Sequence, residues 1–251
     1  MILTDRLQMI ADEINTGETM ADIGTDHGFL PIYLWENRIC PKVIMADVSR
    51  GSLDKARDNC AMLYPGEVFD LRLGNGLEVL EDGEVDTVVI AGMGGILMTQ
   101  IMSADINKTM SMGKYVLQPR ISSGRLRHWL LSNGFSITGD RLVREGRFIC
   151  NIITAITKAG RNLTKLQENI SFFSSLAEDD IRLEMSPWLA EEPLGREFIQ
   201  RRIDSEKVIS EKLKFSKDNG KQIIVNRNIE YLEGLLNETV WPYKQAGQHS
   251  S

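Results

Sequence analysis

Two short runs constrain this chain more than anything else in it: Val43 to Ala46, VIMA, and Val88 to Ala91, VVIA. Each is unbroken in apolar residues and too short for a buried helix. A strand with one wet face alternates apolar and polar residues. An unbroken run is buried on both faces, as in the middle of a parallel sheet. Further β-rich runs, TMADIGT, EVFDLRLG and GKYVLQP, come at intervals up to about Ala159. Helical patterns fill the gaps. Ser49 to Tyr64 begins on a capping serine and repeats apolar residues at Leu53, Ala56, Cys60 and Leu63. Ser122 to Asn133 is closed by Gly134. Strand and helix in alternation predict a doubly wound α/β domain. The last two runs, FSITGDRLV and FICNIITAI, have only REGR between them. No crossover fits there, so they form an antiparallel hairpin.

After Gly160 the strand pattern stops. Leu163, Leu166, Ile170, Phe173, Ala177 and Ile181 mark a helix from Arg161 to about Glu184. Pro187 and Pro193 bracket a break. A second helix is expected from about Leu194 to Lys217, with Phe198, Ile199, Ile203, Ile209 and Leu213 inward. Asp218-Asn219-Gly220 signals a turn. A third helix follows to about Glu238, with Ile224, Tyr231, Leu232 and Leu235 inward. The organisation is therefore an α/β domain over 1–159 and an all-α, coiled-coil-like domain over 160–251. The apolar stripes pack the helices on each other or on the α/β domain. Dimerisation through them is the second reading, and a monomer is favoured. The tail after Trp241 is expected to fray.

Composition excludes several classes. No apolar stretch nears the roughly 20 residues that cross a bilayer, and the charged N-terminus is no signal peptide. Cys40, Cys60 and Cys150 lack paired spacing, so they read as reduced, buried thiols of a cytoplasmic protein. His27, His128 and His249 do not cluster with them, so no metal is expected. A net charge of −6 argues against nucleic-acid binding by the whole surface but leaves room for a local basic patch.

The informative loop is ADIGTDHGFL, Ala21 to Leu30. In open α/β sheets ligands bind at the carboxyl ends of the strands, so the loop after the first strand is where a cofactor sits. A dinucleotide loop needs G-x-G-x-x-G. Here its second glycine is replaced by Asp26 and its third by Phe29. The spacing that fits is acidic-x-G-x-x-x-G, with Asp22, Gly24 and Gly28. That is the first motif of class I S-adenosylmethionine methyltransferases, which this stretch resembles. Thr25 and Asp26 lie between the glycines. Asp47, followed by Val48, ends the second strand, where an acid accepts ribose hydroxyls. Asn75 and Gly76 follow the third strand, where related folds bind the adenine edge. Ala91, Gly92 and Met93 follow the fourth, a flexible backbone segment beside the transferable methyl. An NAD oxidoreductase is disfavoured by the same spacing.

ADIGTDHG, IMADV, LGNGL, VIAGMGG and VLQPR, followed by a helical tail, together resemble the bacterial tRNA (adenine(22)-N(1))-methyltransferase family. The resemblance runs from Leu3 to about Ala159 and continues in type into the tail. It implies a Rossmann-like, seven-stranded class I methyltransferase domain, S-adenosyl-L-methionine as cofactor, and N1 of an adenine in the tRNA D-arm as target. The partner is then tRNA, with no DNA and no membrane. Amine-directed adenine methyltransferases often place Asn/Asp-Pro-Pro-aromatic after the fourth strand; this chain has Ala91-Gly92-Met93-Gly94. N1 carries an in-plane lone pair and does not need that device.

Asp26 is the candidate catalytic residue, accepting a hydrogen bond from the base's amino group as N1 is alkylated. Its alternative is to pair with the cofactor ammonium. His27 either stacks on the base or caps the following helix. Arg6, His27, Arg120, Arg125, Arg127 and Arg147 are the candidate RNA contacts. A basic run along the tail, from Arg196 to Lys221, has acids interleaved and reads equally as a solvated face. Two rival functions keep the same cofactor motifs: a methyltransferase for ribosomal RNA, protein or a small molecule, and a non-catalytic RNA-binding protein that retains the pocket.

Overall fold

In a computed structural model, the structure describes residues 1–158, 176–214 and 219–237. The expected helix positions from Arg161 to 175, the turn residue Asp218 and the tail from 238 lie outside the described residues.

The first unit, Met1–Glu184, carries a seven-stranded sheet among the described residues. Its strands are β1 (Met20–Ile23), β2 (Val43–Asp47), β3 (Asp70–Leu73), β4 (Thr87–Met93), β5 (Lys114–Pro119), β6 (Ser136–Glu145) and β7 (Phe148–Ile156). They lie in the order β3-β2-β1-β4-β5-β7-β6. The first five are parallel and β7 is antiparallel to both β5 and β6. The helices are α1 (Asp5–Asp12), α2 (Phe29–Glu36), α3 (Arg50–Leu63), α4 (Gly95–Ser103), α5 (Ile106–Ser111), α6 (Ser123–Ser132) and the single turn α7 (Ile181–Glu184).

The unbroken apolar runs do what their composition dictates. VIMA fills β2 and VVIA fills β4, and all eight residues except Ala91 are buried. The sheet separates two cores. Ile23, Ile44, Val88, Ile90 and Leu117 face one, and Met20, Met45, Val89 and Val116 the other. Neighbours along a strand thus point to opposite cores. Strand order reverses between β1 and β4, so the chain leaves these neighbours on opposite sides of the sheet. A crevice opens there at their carboxyl ends. Helix starts are set locally: Ser49 Oγ accepts from Ser52 N–H at 3.3 Å and opens α3.

The hairpin forms as expected, but Arg144 and Glu145 stay in β6, so the turn is only Gly146-Arg147. Ala91 to Met93 is not a loose segment. It pairs with Gln118 and Pro119 of β5 across a register shift, so it is a bulged strand end held on one side. The helix expected to reach Glu184 is not continuous: Glu178 and Asp179 form a turn before α7.

Arg127 corrects one expected RNA contact. It is 1% exposed, and its guanidinium meets Asp140 in two bonds of 3.0 and 2.9 Å. It also donates to the carbonyls of Leu183 and Glu184. Contacts therefore group residues 176–184 with the α/β unit, whereas the sequence sets its division after Ala159.

The second unit, Met185–Ser251, holds α8 (Gly195–Leu213) and α9 (Asn219–Leu236). Ile199, Ile203, Val225, Leu232 and Leu235 are buried. Ile209 and Ile224, expected inward, are exposed, and Val225 takes the inward position. Asn219 and Gly220, expected in a turn, already belong to α9. No helix among the described residues is long and apolar enough to cross a membrane.

Removing Arg127 leaves the Asp140 charge buried without its partner. Arg127→Ala is expected to destabilise the protein by about 3–5 kcal/mol, read as a shifted urea midpoint. A loss under about 1 kcal/mol would contradict the buried pair.

Candidate functional site

A cavity of about 470 Å³ lies at the carboxyl ends of β1, β2, β3 and β4. Its construction starts at Gly24. The residue is left-handed, with φ of +83°, and a Cβ there would stand 2.3 Å from Met93 Cε. The left-handed backbone favours glycine here, and a Cβ would push the flexible end of Met93 out of its place between the β1 turn and β4. Gly24 and Thr25 N–H both donate to Ala46 O, at 2.8 and 3.0 Å, which ties the loop to β2. Asp26 also takes a positive φ, +47°, a conformation that aspartate tolerates better than most side chains.

Asp22 lies in the wall, 7% exposed, and accepts from Thr25 Oγ1 at 2.8 Å. Burial pushes its carboxyl up to about 6. The Thr25 bond and the nearby positive charge of Arg6 only partly oppose this, and Asp47 adds to it. Arg6 reaches the same wall from α1. Its Nε donates to Glu145 at 2.7 Å and its Nη1 to Gln118 Oε1 at 3.3 Å. Buried Gln118 also accepts from Gly92 N–H at 3.1 Å and so fixes the end of β4. The cavity wall thus carries an anion and a cation near each other. That is complementary to the ammonium and carboxylate of a free amino-acid group.

Asp47 closes the β2 side. Its two oxygens accept from Ser49 N–H at 2.7 Å and Asp26 N–H at 3.4 Å. Val48, Asn75 and Gly76 continue the lining. Gly76 must lack a side chain because a Cβ would stand 2.8 Å from Ile101 Cγ2. Ala91, Gly92 and Met93 form the β4 side. Asp26 and His27 stand at the mouth. Asp26 pairs with Lys55 of α3 at 3.2 Å, and His27 stacks on Phe29 with centroids 5.4 Å apart.

Each proposed cofactor residue therefore lines the cavity except Gly28. Gly28 instead opens α2 at φ +70°, where a Cβ would meet Met45 Sδ at 2.9 Å and Ala56 Cβ at 3.2 Å. Its role is packing of the loop against β2 and α3. Arg6, His27 and Arg120 line the cavity, and Arg125, Arg127 and Arg147 do not. Arg125 pairs with Glu178 at 3.4 Å, and Arg147, in the hairpin turn, stacks over Phe148 at 4.9 Å. Gln118, Lys55, Phe29 and Leu97 are components that the sequence did not single out. Gln118 stood within the VLQPR motif, but nothing in its spacing reveals that its oxygen faces both Gly92 and Arg6. Among the described residues, no group of three His, Cys, Asp or Glu is placed to hold a metal.

A family model described as a methyltransferase domain matches residues 3–153, more than half of the chain. The chain belongs to the methyltransferase-domain family. The chain is 34% identical over 143 residues to the tRNA (adenine(22)-N(1))-methyltransferase of Bacillus subtilis. That match covers 57% of this chain and 60% of the relative, so the chain spans less than two thirds of that relative's length. Among solved structures, the fold matches the B. subtilis m1A22 tRNA methyltransferase with a TM-score of 0.79 at 24% identity, over 94% of this chain and 99% of that one. It also matches a Streptococcus pneumoniae protein in complex with S-adenosyl-L-methionine, with a TM-score of 0.74 at 25% identity, over 94% of this chain and 100% of that one.

The raised Asp22 value has a sign. Between its unfolded value of 3.8 and about 6, the native state holds the extra proton. Asp22 therefore stabilises the fold below the unfolded value, and that contribution is lost as pH rises through about 6. At about 1.4 kcal/mol per unit, Asp22→Asn should raise the stability of the ligand-free protein above pH 6 by up to about 3 kcal/mol. The gain should shrink towards pH 4. Thermal melts across that range check it, and a lower Tm for the variant at pH 8 would contradict the burial account.

Proposed function

We propose that this chain transfers a methyl group from S-adenosylmethionine to N1 of an adenine, position 22 of the D-arm, in tRNA. One observation carries the reading. A single cavity joins a buried amino-acid-type wall, a ribose-type acid and an adenine-type edge to a β4 end with no amine-directing motif. The similarity to the B. subtilis enzyme supports the choice of base and RNA. The structural neighbour bound to S-adenosyl-L-methionine supports the cofactor.

The residues fit that cofactor. Asp22 and Arg6 face its ammonium and carboxylate, Asp47 its ribose hydroxyls and Asn75 its adenine edge. The missing Cβ of Gly24 leaves the room. This moves Arg6 from the RNA contacts to the cofactor wall, because Glu145 and Gln118 already hold its guanidinium there. When bound, S-adenosylmethionine supplies an electrophilic methyl on a sulfonium. N1 of adenine needs no deprotonation to accept it, so the chain's tasks are alignment, exclusion of water and stabilisation of the cation that forms.

Asp26 suits the last task. It is half-exposed at the mouth, where its carboxylate can accept from the amino group, which grows more acidic as N1 is alkylated. Lys55, at 3.2 Å, holds it in place. His27 and Phe29, stacked in parallel, offer the base an aromatic surface. The target must leave its stack to reach them. Arg120 and the exposed Leu97 form the opposite wall, with exposed Ile96 and Ile121 beside it, a rim suited to a splayed nucleotide and its phosphate. The helical unit, with its run of basic side chains, is the second RNA surface. The protein works as a monomer in the cytoplasm, where tRNA is matured.

The test is nucleoside analysis of tRNA lacking this modification after incubation with the protein and S-adenosylmethionine. 1-Methyladenosine is the expected product. N6-methyladenosine, or methylation of protein instead of RNA, would overturn the reading. In the same assay Asp26→Ala should lower turnover on the order of 10²-fold with cofactor affinity little changed. If affinity alone collapsed while turnover at saturation survived, Asp26 would be a cofactor ligand and not a substrate contact.

A further inference from the structure

The lining explains what the cavity binds, but not what holds its acceptor wall. That wall hangs on the three-residue connection Arg120–Ser122, between β5 and α6. Its backbone is stitched to the end of β4. Arg120 N–H donates to Met93 O at 2.8 Å, and Gly95 N–H donates to Ile121 O at 2.9 Å. The fit leaves no slack: a Cβ on Gly95 would stand 2.3 Å from Ser122 O. Ser122 enters α6 in the left-handed region, φ 60°, and its side chain makes no capping bond. The first N–H groups of α6 need another acceptor.

Glu184 supplies it from 60 residues further along the chain. Its Oε2 accepts from Gly124 N–H at 2.6 Å, and its Oε1 accepts from Ser123 Oγ at 2.9 Å. A carboxylate at a helix N-terminus satisfies orphan donors and complements the helix dipole. Gly124 has no room for a side chain, because a Cβ would lie 2.9 Å from Glu184 N. Arg127 locks the same corner. Its Nη1 donates to Ser123 Oγ at 3.1 Å, to Leu183 O at 2.9 Å and to Glu184 O at 3.2 Å, while Asp140 balances its charge.

We propose that Glu184 is a positioning residue for methyl transfer. By capping α6 it fixes the Arg120–Ser122 connection, and through it the Met93–Gly95 junction between β4 and α4, against which the acceptor base is aligned. The first turn of α6 follows directly on Ser122, whose carbonyl packs on Gly95, so loosening the cap loosens the wall. The amino-acid and ribose side of the cavity is built on β1, β2 and Arg6 of α1, and it meets the end of β4 through Gln118, a β5 residue that makes no bond to Glu184. Glu184 therefore acts on transfer and not on cofactor affinity. Its link to transfer rests on the proposed function; its mechanical part does not.

The experiment uses the full chain as wild type, Glu184→Ala and Glu184→Gln. Three quantities are read: hydrogen exchange at the Gly95 and Arg120 amides, S-adenosylhomocysteine affinity, and the single-turnover rate on tRNA at saturating cofactor. Glu184→Ala should speed exchange at both amides by about tenfold and slow transfer by about tenfold, with affinity within about twofold. Glu184→Gln keeps an oxygen for Gly124 N–H and an amide that can donate to Ser123 Oγ, so it should restore both. Unchanged exchange in Glu184→Ala overturns the proposal, as does faster exchange with an unchanged transfer rate. Equal losses of affinity and rate also overturn it. If Glu184→Ala does not fold, Ser123→Ala removes one of the two bonds and should move exchange and rate the same way by less; no movement there overturns it too. If wild type itself methylates no tRNA, the proposed function fails, and the exchange measurement still decides whether Glu184 holds the wall.

Discussion

The site depends on how closely the β1 turn approaches β4. Gly24 sits where a Cβ would overlap the Met93 methyl, and its left-handed backbone turns the chain over the sheet edge. β1 and β4 are parallel neighbours, in register from Met20 with Thr87 to Ile23 with Ile90, so their carboxyl ends emerge side by side. Strand order reverses between them, and the following helices leave on opposite faces. A cavity must open there. The chain shapes that cavity by removing side chains at Gly24 and Gly76 and by fixing the bulged end of β4 with Gln118.

The electrostatics follow from this geometry. Once the turn covers Asp22, its carboxylate is out of water with one hydroxyl as a direct partner, and burial outweighs the help from Arg6. A buried charge without full compensation costs folding free energy. An incoming ammonium would offset that cost and recover it as binding. Arg127 and Asp140 show the contrasting case. They are equally buried but satisfied within the protein, with nothing left for a ligand. The same residue types serve structure or function according to whether their partners are already present.

This contrast explains what could be read from the sequence. VIMA and VVIA reveal burial on both faces, and four strand-end motifs mark the residues that line one cavity at the carboxyl edge, because period and spacing are local properties. The loop motif indicated the cavity but not the division of labour between its glycines: Gly24 lines the cavity against Met93, whereas Gly28 makes room for Met45 and Ala56. Arg127 looked like a surface cation because its partner, Asp140, lies not on its own helix but on β6. Lys55 and Gln118 were silent for the same reason, since their importance lies in contacts that only the fold creates. In α9, Ile224 and Val225 are adjacent and equally apolar, so a small error in helix phase decides which faces inward.

Under the proposed function, the loop ADIGTDHGFL is both a cofactor turn and the lip of a base-binding mouth. The most direct measurement is primer extension on one unmodified tRNA after incubation with the protein and S-adenosylmethionine. Methylation at N1 blocks the Watson–Crick edge, so reverse transcriptase should halt at adenine 22 in the D-arm, and only when protein and cofactor are both present. Full-length extension, or a stop at any other base, would contradict the account.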